Sequence, residues 1–201
     1  MKKHLLDYNL KVRLPIILFV VLSVFTITYY ASYAERNGIG YSPEQPIKFS
    51  HKLHAGDMQI DCKYCHTGVD KSRAASIPSA DICMNCHSLA RTDKPEIQKL
   101  GDYYKNGKPI LWKRIHKVPD FVYFNHSVHV NKGIDCINCH GDLKQMEQVG
   151  QVNSFTMGAC LNCHRNPEEN ISVRSQRGLW EREGTSSNIK KGPENCSACH
   201  R

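Results

Sequence analysis

Cys62-Lys63-Tyr64-Cys65-His66 is the first of five pentapeptides with a common pattern. The others are Cys83-Met84-Asn85-Cys86-His87, Cys136-Ile137-Asn138-Cys139-His140, Cys160-Leu161-Asn162-Cys163-His164 and Cys196-Ser197-Ala198-Cys199-His200. These motifs, 1 to 5 in chain order, use all ten cysteines of the 201-residue chain. Two thiols three positions apart can form thioethers with the two vinyl groups of a haem while the next imidazole reaches the iron, so C-x-x-C-H is the attachment signature of c-type haem. Five covalent haems c follow, with His66, His87, His140, His164 and His200 as proximal ligands. Zinc sites built from C-x-x-C pairs take them two at a time and give no reason for a trailing histidine. With 11 histidines in the chain, five trailing ones by chance have a probability on the order of 10⁻⁶ to 10⁻⁷. A disulfide framework or a thioredoxin-type dithiol would not repeat one spacing in this way.

The segments that must place these motifs begin at a basic N-terminal flank, residues 1–13, with Lys2, Lys3, Lys11 and Arg13 opposed by Asp7. Residues 14–34 then run without a charge. As a helix at about 1.5 Å per residue they span roughly 31 Å, enough for a hydrocarbon core of about 30 Å. Pro15 fits the first turn of such a helix, where its missing N–H has no partner. The basic flank belongs in the cytoplasm, and Tyr29, Tyr30 and Tyr33 mark the outer interface. The expectation is a single-pass anchor in the cytoplasmic (inner) membrane with the haem-bearing part in the periplasm. Ser32-Tyr33-Ala34 also resembles a cleavage site, so a removed signal peptide is the competing reading.

Beyond the anchor the chain is polar, and five haems over about 165 residues put one large apolar macrocycle in every 33 or so. A core of side chains alone would be thin at this size, and bound groups stabilise the state that holds them. The expected fold is mostly α with extensive loops, a multihaem cytochrome c wrapped around its haems. The formal net charge of +8 does not point to nucleic acid, because ten propionates bring it to about −2 with ferrous irons or about +3 with ferric ones. No run of interleaved aromatic and basic residues of the kind that binds single strands is present.

A duplication organises the exported part. Phe49-Ser50-His51-Lys52-Leu53-His54 precedes motif 1 as Phe124-Asn125-His126-Ser127-Val128-His129 precedes motif 3, and each time a second motif starts 21 or 24 residues after the first. Two dihaem modules are therefore expected, at 47–90 and 121–166. Residues 35–46 read as a linker, 91–120 as a connector with a short helix near 95–104, and 167–201 as a tail carrying the fifth haem. Positions i and i+3 share a helix face, so each H-x-x-H pair can reach two neighbouring irons. His51, His54, His126 and His129 are the candidate distal ligands. His4 lies on the cytoplasmic flank and is set aside. His116 is the candidate for the remaining iron; Met146 and Met157 are its rivals ahead of Met58 and Met84, and a thioether ligand would raise that haem's potential.

The F-x-H-x-x-H units resemble small class III multihaem cytochromes, in which such histidines are distal ligands. The anchor, the run from Ile115 to His126, the run from Met157 to Pro167 and the closing Cys196 to Arg201 together are similar to the pentahaem subunit of alternative complex III, over nearly the whole chain. That resemblance implies an electron conduit, itself without catalytic residues, in a quinol-oxidising membrane complex, with other subunits of the complex and a periplasmic acceptor or terminal oxidase as partners. A self-sufficient membrane quinol dehydrogenase and a periplasmic oxyanion reductase are the alternatives. Both need an iron with an open position, which the supply of histidines disfavours.

Overall fold

The computed structural model describes residues 7–171 and 189–200; His4, Lys2, Lys3 and much of the expected tail lie outside the described residues. The chain divides into two units, one through Gly38 and one from Ile39 onward.

In the first unit a π-helical turn, Asn9–Arg13, runs into helix α1, Leu14–Asn37. Residues Asn9–Tyr33 form the one helix among the described residues that is long and apolar enough to cross a membrane. Pro15 is not in a first turn, contrary to the sequence reading, because the chain is already helical before it. The Leu14 N–H instead bonds back to Asn9 O, five residues earlier. Such a widened turn is how a helix accommodates a residue that lacks an N–H and whose ring crowds the preceding turn.

The second unit is helical and irregular, and among the described residues its only β pairing is a bridge between Val122 and His200. Every motif lies on a short helix: α2, Cys62–Cys65; α3, Ala80–His87; α6, Cys136–His140; α7, Met157–Arg165; and α9, Cys196–Cys199. Between them lie α4, Pro95–Lys105, α5, His126–Asn131, and α8, Pro167–Asn170. The duplication reaches the helix starts. Asp61 and Asp135 are the N-caps of α2 and α6, immediately before the cysteine. Ser79 and Thr156 are the N-caps of α3 and α7, four residues before theirs. Short polar side chains at this position satisfy or replace the first free N–H groups of a helix, as Asp61 does for Lys63 N at 2.6 Å. The expected connector helix forms with Pro95 in its first turn and Leu100 on its buried face.

Two reciprocal clasps join the duplicated segments. The π-helical turn Lys52–Asp57, which follows His51, packs on the 3₁₀ turn Leu143–Gln145, which follows motif 3. Lys52 N donates to Met146 O at 3.0 Å, and Gly56 lies so close to the Lys144 carbonyl that a Cβ would overlap it. In return the start of α5 packs on the loop after motif 1. His126 N donates to Arg73 O at 3.1 Å and Ser127 N to Ser72 O at 3.2 Å. Arg73 Nε donates to Phe124 O at 3.2 Å, and Asn131 Nδ2 donates to Asp70 O at 2.9 Å.

Of residues 35–46, read from sequence as a linker, those from 39 onward are laced into this unit. Gly40 N donates to Gln151 O at 2.8 Å and Gln151 N to Tyr41 O at 2.9 Å. The Gln45 amide exchanges two hydrogen bonds with the Lys113 backbone, at 2.9 and 2.8 Å. The apolar core is nonetheless minimal: among the described residues only Ile47, Val69 and Leu100 are buried hydrophobics.

Candidate cofactor and metal-ligand sites

The F-x-H-x-x-H units fold as near copies. Phe49 stacks on His54 at 4.4 Å and 26° and meets His51 edge-on at 4.9 Å and 87°. Phe124 stacks on His129 at 4.6 Å and 26° and meets His126 edge-on at 4.8 Å and 88°. One phenylalanine thus braces both imidazoles of its unit, a role that the repeated Phe signalled without revealing. The capping differs in detail. Asn125 Oδ1 accepts from Ser127 N at 3.0 Å, whereas Ser50 Oγ accepts from Leu53 N at 3.0 Å.

All ten candidate histidines, five in the motifs, four in the H-x-x-H units and His116, are half-buried. Six place Nδ1 on a backbone carbonyl: His54 on Ser50 O (2.8 Å), His66 on Ser76 O (2.7 Å), His87 on Ala90 O (3.0 Å), His126 on Arg73 O (3.0 Å), His129 on Asn125 O (2.7 Å) and His164 on Pro193 O (2.7 Å). A carbonyl only accepts, so Nδ1 carries the proton and Nε2 keeps its lone pair, the arrangement in which histidine binds metal. Burial and neighbouring imidazoles hold several rings neutral. His51 is lowered to about 4 by burial, then by His66, His54 and His116. His140 is lowered to about 3 by burial, then by His116, His126, His66 and His51. Burial also lowers His116 and His129.

The rings come together in pairs. His54 and His87 have centroids 6.1 Å apart, as do His129 and His164, and His126 and His140 are at 6.4 Å. Two imidazoles bound through Nε2 to one metal, with bonds of about 2 Å each and ring centres about 1 Å behind the nitrogens, have centroids about 6 Å apart. By the repeat, the counterpart of His126–His140 is His51–His66, and His66 is the imidazole with the largest electrostatic effect on His51. No three His, Cys, Asp or Glu side chains converge as a self-contained metal cage among the described residues. The imidazoles come together two at a time, and such a pair would hold a haem iron between its rings.

His116, the candidate for the remaining iron, packs beside motif 3. Its ring lies edge-on to His140 at 4.3 Å and to Phe155 at 5.7 Å, it bonds the Gly150 backbone, and its Nε2 is buried without a hydrogen-bond partner among the described residues. At 4.3 Å from His140 there is no room for a metal between the two rings. The ring contact of His200 is instead with Phe121, stacked at 5.6 Å and 27°. Of the methionine rivals, Met146 lies beside Gly141, next to His140, and Met157 is 68% exposed. The geometry therefore brings none of these three to His200 through a described contact.

None of the ten cysteines is joined in a disulfide, which leaves every one for thioether formation. Burial raises Cys65, Cys83, Cys160 and Cys163 above the ordinary thiol range, and raises Cys139 to about 11. The Cys136 thiol donates to the Cys62 sulfur, which lowers Cys62 to about 7 and raises Cys136. Covalent haem fits this set of groups on three counts: free thiol pairs, Nε2-directed imidazole pairs, and a side-chain core too small to organise the unit without further apolar surface.

Residues 58–201 match the family model for outer membrane cytochromes of the MtrC/MtrF-like type, domains II/IV. The chain is also 39% identical over 151 residues to the multiheme cytochrome c subunit of menaquinone reductase from Nitratidesulfovibrio vulgaris, covering 65% of this chain and 71% of the relative.

Proposed function

Since this chain belongs to the MtrC/MtrF-like family of multihaem c-type cytochromes, an electron-transfer family carrying covalent haem c, we propose that it is the pentahaem electron conduit of a membrane quinone-oxidoreductase complex. The observation that carries the reading is the pairing of Nε2-directed imidazoles at 6.1 Å in both modules. Four irons are held by His51 with His66, His54 with His87, His126 with His140, and His129 with His164; His200 holds the fifth. Each haem, when bound, supplies a one-electron couple. The residues of the chain set its properties: cysteines fix the position, Nδ1 hydrogen bonds orient the imidazoles and raise their basicity, and Phe49 and Phe124 restrain them. No acid, base or nucleophile is needed, so quinone chemistry belongs to a partner subunit.

The helix at Asn9–Tyr33 supports a retained anchor in the inner membrane with the cytochrome unit in the periplasm. The pattern shared with the pentahaem subunit of alternative complex III supports electron flow from quinol to a periplasmic acceptor or terminal oxidase. The relative's role in a menaquinone reductase supports a second reading, in which a periplasmic donor reduces the quinone pool through the same haems. Isolation of the tagged chain with its native partners, followed by assays of quinol-driven acceptor reduction and donor-driven quinone reduction, distinguishes the two directions. The proposal fails if the chain purifies alone from its native membrane, or if the isolated chain oxidises quinol at a catalytic rate.

A further inference from the structure

The sequence presents its motifs as 1–2–3–4–5, and a tandem repeat would be expected to stack them in that order. The contacts run otherwise. Motifs 1 and 2 are joined by Asn85 Nδ2 donating to the Tyr64 hydroxyl at 3.0 Å, each residue lying between the two cysteines of its motif. Motif 1 meets motif 3 where the two clasps hold the junction from both sides. In each clasp the loop that follows the first motif of one module carries the histidine unit of the other. Motifs 3 and 4 are linked through Asn153, whose Nδ2 donates to Cys139 O at 3.1 Å and Asn138 O at 3.2 Å, three residues before the Thr156 cap of α7. Motif 4 is tied to the approach to motif 5: Gly192 N donates to His164 O at 2.9 Å, His164 Nδ1 donates to Pro193 O at 2.7 Å, and Arg165 pairs with Glu194 at 2.8 Å.

We infer that the haem sites form one file in the spatial order 2–1–3–4–5, the two modules meeting head to head through their first sites. This rests on the reading that all five motifs carry haem. An electron passes between adjacent sites, the donor oxidised by one electron as its neighbour is reduced by one. Sites 2 and 5 are the two ends, where redox partners exchange electrons with the chain. The fifth site, backed by Tyr123 N donating to Cys199 O at 2.8 Å, extends the file beyond the duplicated pair of modules.

The test uses the mature holoprotein, crystallised for anomalous diffraction at the iron edge, with each iron assigned by the thioether-bearing motif around it. The expected map has nearest-neighbour iron vectors joining sites 2 to 1, 1 to 3, 3 to 4 and 4 to 5. A shorter vector from site 2 to site 3 than from site 1 to site 3, or site 5 nearest to any site other than 4, overturns the order. Pyridine haemochrome quantification on the same preparation separates the failures. Fewer than five haems per chain refutes the reading of the motifs, whereas five haems in another spatial order refutes only the file.

Discussion

Replacing His54 by alanine removes one ring of a single pair and leaves every thioether cysteine in place. His54 has its centroid 6.1 Å from that of His87, bonds Ser50 O at 2.8 Å and stacks on Phe49 at 4.4 Å. The lost hydrogen bond, about 1 kcal/mol, and the lost aromatic contact, about 1 kcal/mol, together destabilise the unit by about 2 kcal/mol. For a chain of this size that lowers Tm by about 4–8 °C. The larger effect is expected at the iron: if His54 is a distal ligand, its loss makes one haem high-spin and open to carbon monoxide when reduced. His129→Ala, the repeat counterpart, is expected to give the same stoichiometry of one additional carbon monoxide per chain, measured by difference spectroscopy against the parent protein. His116→Ala is expected to add none, because its ring is too close to His140 to share a metal with it. The pairing argument is refuted if His54→Ala leaves carbon monoxide binding unchanged, or if His116→Ala opens a site as His54→Ala does.

Phe124→Leu removes the plate that braces both His126 and His129, so two low-spin ferric electron-paramagnetic-resonance signals are expected to broaden or shift with the haem content unchanged; an unchanged spectrum counts against the bracing role. Gly56→Ala forces a Cβ into the Lys144 carbonyl and is expected to cost about 1–3 kcal/mol in thermal unfolding of the holoprotein. Gly101→Ala, inside α4 with nothing within 4 Å of the new Cβ, is expected to stabilise by about 0.5–1 kcal/mol, so equal effects at the two glycines would contradict the clasp. Chain produced without haem attachment, with only Ile47, Val69 and Leu100 as its described apolar core, is expected to show no cooperative thermal transition by calorimetry. Carbonate washing and intact-mass measurement test the anchor: the expected product stays with the membrane and retains residues 14–34, whereas a soluble form starting after Ala34 would establish cleavage.

The five motifs, the apolar N-terminal helix and the duplicated histidine units were legible in the amino-acid sequence because each is a local pattern. Thioether attachment needs two cysteines at a fixed spacing and the next residue, and a helix cap needs only the residue that precedes the turn. The mostly helical, loop-rich fold followed from the same patterns and from a composition with too little apolar surface for a core of side chains. What remained hidden depends on residues far apart in the chain. Nothing in the spacing of His116 shows that it packs on His140 and Phe155, and Pro15 could be placed only once the preceding residues were seen to be helical. The sequence order of the motifs likewise hides the clasps, in which Arg73 holds Phe124 and Lys52 reaches Met146. Those contacts bridge 51 and 94 positions, and they form only when the two duplicated segments pack against each other. Local chemistry in the sequence determined which atoms can hold a haem; tertiary packing decided which imidazoles face each other and which motifs are neighbours.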